Sequence, residues 1–112
     1  MKKLEIIIRP EKLECLKAVL EGCNVNGIMI SNVMGYGNQK GYTQMYRGTS
    51  YNVNLLPKVK VETIVPQELA DSTIDAVVEE INTGNYGDGK IFVYDVQDAV
   101  RIRTGEHGRE AL

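Results

Sequence analysis

One short pattern occurs twice in this chain, and the repeat narrows the fold more than any other feature. IIIRPEKL at residues 6–13 can be laid over ETIVPQEL at residues 62–69. Each copy runs from a β-branched stretch into a proline, then an acidic or amide residue, then a leucine three residues after the proline. A β-branched run bounded by turn residues reads as a strand, and a proline at a first helical position costs no backbone hydrogen bond. Each half therefore reads as a strand feeding a helix.

In the first half, residues 4–8 form the strand. Leu13, Leu16, Val19 and Leu20 then recur at helical spacing, with Glu11, Lys12, Glu14, Lys17 and Glu21 on the other side. Gly22 ends this helix, and Cys15, near the apolar stripe, reads as a small core hydrophobe. In the second half, residues 58–65 alternate, with Val59, Val61 and Thr63 on one face and Lys60, Glu62 and Ile64 on the other. Pro66 opens a helix whose stripe is Leu69, Ala70, Thr73, Ile74, Val77, Val78 and Ile81. Residues 27–33 and 90–96 read as the remaining strands. The order β-α-β, β-α-β predicts an α+β fold, the ferredoxin-like double split βαβ sandwich, with both helices on one face of a four-stranded sheet. The other face then needs cover, most simply from further copies of the chain.

At 112 residues, with 43% hydrophobic and 25% charged residues, residues 1–112 read as one globular domain. A formal net charge of −2 provides no electrostatic footprint for nucleic acid or an anionic membrane. Cys15 and Cys23 stand eight apart without a CxxC, and His107 is the sole histidine, so neither a zinc site nor a disulfide framework is indicated. That cysteine usage suits a reducing cytosol. The early apolar run is broken by Glu5 and stops at Arg9-Pro10, which fits neither a signal peptide nor a membrane span. A cytoplasmic domain is the expectation.

The segment from Gly35 to Pro57 departs from this regularity. It holds four of the eleven glycines and four of the six tyrosines, and no apolar periodicity survives between Gly37 and Tyr51. A polar, tyrosine-bearing loop of this length inside a small domain is functional or disordered more often than not, although an ordinary long connection has the same composition. The second informative stretch is TGNYGDGKIFV, residues 83–93. Its glycines let backbone N–H groups approach phosphate oxygens, and Lys90 supplies a neutralising charge. It is no Walker A sequence, because Gly-Asp-Gly-Lys opens a strand, and a tight turn explains Gly-Asp-Gly equally well. Third, Arg101 and Arg103 at i, i+2 in an extended segment project to one side, where their forks suit a polyanion; a charge-protected edge strand is the bland alternative. With Gln39 and Lys58 from the loop region, these signals point together to an anion site, such as one for a nucleotide. Catalytic groups are thin. His107 lies in a polar tail, neither cysteine has an activating neighbour, and Glu62 is the one acid that the pattern places in a cleft.

Several blocks stand in one order along essentially the whole chain: IIRPEKL, GYGNQKG, YRGTSY, LLPKVKVE, and TGNYGDGKIFV followed by AVRIRTGE. In this set the chain resembles the PII nitrogen-regulatory signal-transduction proteins. The resemblance implies a ferredoxin-like homotrimer whose long loop, here residues 37–55 (the T-loop), reaches partner proteins. It implies ATP or ADP in a cleft between subunits, and 2-oxoglutarate bound there together with Mg-ATP. Carried over by motif, Gly35, Gly37, Gly87, Asp88, Gly89 and Lys90 would line the nucleotide site, with residues 83–90 as the phosphate loop and Glu62 near the base. Arg101 and Arg103, in the C-terminal segment 101–112, would reach phosphates across the subunit boundary. Gln39 would help hold Mg²⁺ and, with Lys58, bind 2-oxoglutarate. Arg47 matches the residue that plugs an ammonium channel in family complexes, so such a channel is an implied partner, as are nitrogen-assimilation enzymes or regulators. Tyr51 stands where many members are uridylylated by a nucleotidyl-modifying enzyme, and Thr49 where some are phosphorylated. The sequence departs from the common pattern at Thr49 and Ser50, and Asn38 replaces a frequent arginine.

The expected role is thus a sensor without catalytic residues. Two other classes stay in view: a small nucleotide-transforming enzyme with Glu62 or His107 as base, and a structural ferredoxin-like trimer. The latter would not need Gln39, Lys58, Lys90 and the arginine pair together.

Overall fold

Strict alternation in two strands decides which way the sheet faces. In β1 (Lys2–Ile8) the side chains of Leu4, Ile6 and Ile8 are buried, while Lys3, Glu5 and Ile7 between them are only partly covered. In β5 (Leu56–Val65) Val59, Val61, Thr63 and Val65 are buried, and Lys58, Lys60, Glu62 and Ile64 take the other face. Successive residues of a strand point to opposite sides, so these two strands alone define a dry face and an open one. The computed structural model describes residues 1–36, 42–46, 49–53 and 55–112, with backbone only for the two middle segments.

The dry face receives α1 (Leu13–Gly22) and α2 (Gln67–Ile81), which also pack on each other. Leu16 and Leu20 come from α1, and Ala70, Thr73, Val77 and Ile81 from α2. With β2 (Met29–Gly35) and β6 (Lys90–Asp95) the strands form an antiparallel sheet in the order β2-β5-β1-β6. This is the ferredoxin-like arrangement expected from the repeat.

Several local readings are corrected. Pro10 opens a single 3₁₀ turn, Pro10–Lys12, and the α-helix proper starts at Leu13. Pro66 is an extended N-cap (φ −58°, ψ 148°) rather than the first helical residue. Cys15 is exposed, because its neighbour Leu16 takes the buried position on α1. The second sheet strand is displaced to Met29–Gly35, and β5 starts two residues early despite Pro57. Pro57 pairs only with Met34 of β2, since β1 joins β5 from Val59 onward, so its missing N–H breaks no ladder bond toward β1. The last sheet strand stops at Asp95 rather than 96.

Within the region read as structureless, Tyr42–Tyr46 (β3) and Thr49–Val53 (β4) pair as a separate two-stranded antiparallel sheet. Its segments carry Tyr, Thr and Val, which are good strand formers, but the sequence there lacks the alternation that marks a strand over a core.

Two buried threonines make opposite predictions. Thr63 Oγ1 donates to the Gly27 carbonyl at 2.6 Å and so joins β5 to the approach of β2. Thr73 Oγ1 is buried without a hydrogen-bond partner among the described residues. A buried hydroxyl left unpaired costs about 1–3 kcal/mol. Thr73→Val is therefore expected to stabilise the domain by about 1 kcal/mol, and Thr63→Val, which removes the hydrogen bond to the Gly27 carbonyl, to destabilise it by a similar amount. Urea unfolding of both variants measures the difference.

Candidate anion site at the Gly-rich turn

The chain between α2 and β6 is held by one carboxylate. Asp88 accepts from the Thr83 N–H at 2.8 Å, from the Gly84 N–H at 3.0 Å, and from the Thr83 hydroxyl. These bonds, the Thr83 hydroxyl first, hold Asp88 below the ordinary aspartate range. Asn82 Oδ1 accepts the Gly84 N–H as well, at 2.8 Å. From across the sheet Arg9 approaches Asp88 to 3.5 Å and donates to the Tyr86 carbonyl. Gly89 makes the closest approach: at φ +116°, a Cβ there would lie 1.8 Å from the Ile7 carbonyl oxygen. Only glycine fits that seat.

So positioned, the turn walls one side of a cleft of ≈ 390 Å³. Tyr86, Gly87, Gly89 and Lys90 come from the turn and the start of β6. Gly35, Tyr36 and Leu56 face them, and Ile7, Lys58 and Phe92 form the floor on the open side of the sheet. Lys58 spans the cleft and donates to the Gly87 carbonyl at 3.0 Å. A Cβ at position 35 would press the Lys58 side chain at 3.0 Å, so Gly35 leaves that chain its path. Partial burial, then the nearby Arg9 guanidinium, pull Lys58 below the ordinary lysine value, with Glu11 and Asp88 opposing. A cation disfavoured in this way gains when an anion enters.

The structure thus gathers Gly35, Lys58, Gly87, Gly89 and Lys90 around one cleft. Asp88 turns to the other side of the loop, where it organises the turn. Glu62 does not line the cleft. It lies on the open sheet face, 3.4 Å from Lys60 and 3.7 Å from Lys3. Beside it Tyr94 donates to Glu5 at 2.6 Å, which lowers Glu5 and raises Tyr94. Arg101 and Arg103 do not line the cleft within one chain, and the extended reading of their segment is corrected. Residues 102–104 form a turn, closed by the Gly105 N–H on the Arg101 carbonyl at 2.7 Å. Gly105 at φ +73° permits it, and Thr104 Oγ1 accepts the Glu106 N–H. His107 is mostly exposed, with Nδ1 2.8 Å from Asp98. Gly37, Gln39 and Arg47 lie outside the described residues, and Thr49 and Tyr51 are described only as backbone of β4.

Arg9 and Thr83 carry the turn, and composition did not reveal either. The signal for Arg9 lies in the register: Ile7 stands opposite Lys90 across β1 and β6, which brings residue 9 beside residue 88.

Comparison with known proteins identifies the family. A family model described as "Nitrogen regulatory protein P-II" matches residues 1–106. Among curated proteins, "Nitrogen regulatory protein P-II" of Haemophilus influenzae is 50% identical over 112 residues, covering all of both chains. That of Rhodobacter capsulatus is 47% identical, and "Nitrogen regulatory protein P-II 1" of Escherichia coli K12 is 45% identical, each over the full length of both chains.

The turn responds to acid in a defined direction. Asp88 is depressed in the folded chain, so it stabilises the turn above the ordinary aspartate value of about 3.9, and that contribution is lost as pH falls through the lower folded value. Amide NMR shifts of Thr83 and Gly84 should titrate with a midpoint below about 3.9, and Asp88→Asn should abolish that step.

Proposed function

This chain belongs to the nitrogen regulatory protein P-II family, and we propose that it acts in nitrogen-regulatory signalling by sensing ATP or ADP and 2-oxoglutarate. The observation that carries this reading is the convergence of Lys58, Lys90 and the Gly87–Gly89 backbone on one cleft. Positive charge beside glycine backbone is what polyphosphate recognition requires. In this reading Gly35, Gly87, Gly89 and Lys90 hold the nucleotide phosphates, and Asp88 and Arg9 keep the turn in shape for them. Lys58 takes a carboxylate of 2-oxoglutarate, with Gln39 serving that ligand and a Mg²⁺ on the phosphates. Gly37 extends the nucleotide site, and Glu62, which does not line the cleft of its own chain, comes near the base only across a subunit boundary.

Arg101 and Arg103 reach the phosphates from a neighbouring copy in a homotrimer. The open sheet face supports such an assembly, because Met29 and Phe92 stand on it 70% and 46% exposed, with no layer of the described residues over them. Residues 37–55 carry the output, with Arg47 at the contact with an ammonium channel or a nitrogen-metabolism enzyme or regulator. Tyr51 and Thr49 are the candidate modification sites. Ligands act by selecting among conformations of the loop. The reading places the protein in the cytoplasm; among the described residues no helix is long and apolar enough to cross a membrane.

Calorimetric titration tests the core of this reading. ATP is expected to bind without 2-oxoglutarate, and 2-oxoglutarate only with ATP and Mg²⁺ present. Lys90→Ala should weaken ATP by about 1.5–3 kcal/mol, the range for a hydrogen bond to a charged group, and Arg47→Ala should leave it unchanged. Equal weakening by both variants would refute the division between cleft and loop. Light scattering should return three times the 12.5 kDa chain mass; a monomer would remove the proposed route for Arg101 and Arg103.

A further inference from the structure

The arginines that the sequence presents as a pair are not equivalent in the structure. Residues 98–108 fold back on themselves. Val100 bridges His107, the Arg101 N–H donates to the Glu106 carbonyl at 2.9 Å, and the Gly108 N–H donates to the Ala99 carbonyl at 2.8 Å. Asp98 fastens both ends, accepting from the Ala99 N–H at 2.8 Å and the Gly108 N–H at 3.1 Å, with His107 Nδ1 2.8 Å away. The segment therefore sets its own conformation.

Inside it the Arg101 guanidinium is already engaged. One nitrogen lies 3.4 Å from Glu106 Oε1, and the other donates to the Leu112 carbonyl at 2.9 Å. The side chain keeps 34% of its surface exposed. Arg103 is exposed and makes no ion pair among the described residues. A guanidinium fork accepts carboxylate and phosphate in the same planar geometry, so Glu106 and Leu112 occupy donors that a phosphate would use.

We propose that Glu106 is an internal competitor for the anion: it holds Arg101 in a carboxylate contact that a phosphate must displace, while Arg103 makes the first contact. This rests on the anion-site reading above and deepens it. An ion pair as exposed as this one changes an equilibrium by about five-fold at most. Glu106 therefore tunes affinity and does not block the site. The mask also keeps Arg101 oriented when no anion is present, since its fork is held at two points.

The test is a cycle of ATP titrations in Mg²⁺ on the wild type, Glu106→Gln, Arg101→Ala and the double variant. Glu106→Gln keeps side-chain size at a half-buried position, and thermal melts of all four chains check that the fold is retained. Glu106→Gln is expected to bind ATP about two- to five-fold more tightly than the wild type. The same substitution in the Arg101→Ala background should change affinity by less than about 1.5-fold, since no masked fork remains. Arg103→Ala should weaken ATP more than Arg101→Ala does. The proposal is overturned if Glu106→Gln binds no more tightly than the wild type. It is overturned equally if the gain is the same in both backgrounds, because Glu106 would then act by through-space repulsion alone. Absence of ATP binding by the wild type is a different failure: it removes the anion-site reading itself, and the competitor with it.

Discussion

The contact on which the site depends is the seat of the Gly89 backbone against the Ile7 carbonyl. At 1.8 Å from that oxygen, no side-chain carbon can exist at position 89. The approach joins the start of edge strand β6 to the end of central strand β1, and from there every other position in the cleft is set. Ile7 becomes floor, Lys90 becomes wall, and residues 83–88 must loop over the end of the sheet. The register of β1 and β6 follows the same constraint, with Ile7 opposite Lys90. A substitution at Gly89 would push the loop away from the sheet, and the cleft would open with it.

Charge is arranged around that seat in two layers. Behind the turn, Asp88 spends its lone pairs on Thr83, Gly84 and Arg9, which makes it a structural anion and leaves little of it for a ligand. In front, Lys58 and Lys90 face the cleft. Partial burial and the neighbouring Arg9 both disfavour the charge on Lys58. Binding energy is more useful when the site is preorganised, because less of it is lost to ordering side chains. Here the Lys58 bond to the Gly87 carbonyl performs that ordering.

Much of this was legible in the residues, and the reasons differ by element. The duplicated strand–proline–helix pattern sufficed for the fold, since Leu4, Ile6, Ile8 and Val59, Val61, Val65 alternate as a one-sided sheet must. Gly87, Gly89 and Lys90 announced themselves as a glycine-rich turn with a cation. Arg9 stayed hidden because its role exists only across strands, with its partner Asp88 far along the chain. Cys15 misled because helical stripes are broad and one position decides burial. The hairpin of β3 and β4 escaped because its ladder is made by backbone, and its sequence carries no apolar alternation. The arginine pair misled differently: i, i+2 spacing implies a common side only in extended backbone, and Gly105 turns the chain there.

The turn at residues 102–104 also bears on how the molecule divides its work. The cleft and the arginines are separate pieces of one chain, each internally organised, the first by Asp88 and the second by Asp98. Asp88 ties the end of its loop back to the Thr83 and Gly84 N–H groups at the loop's start, and Asp98 accepts the Ala99 and Gly108 N–H groups at the two ends of the other. A chain built this way can fold completely without its ligand, since neither cluster needs phosphate to satisfy its buried or turn-forming groups. In the proposed sensing role, a phosphate ligand would connect these two clusters. That is the property a sensor needs: the folded state is stable in both conditions, and binding energy goes into the relation between parts rather than into making them.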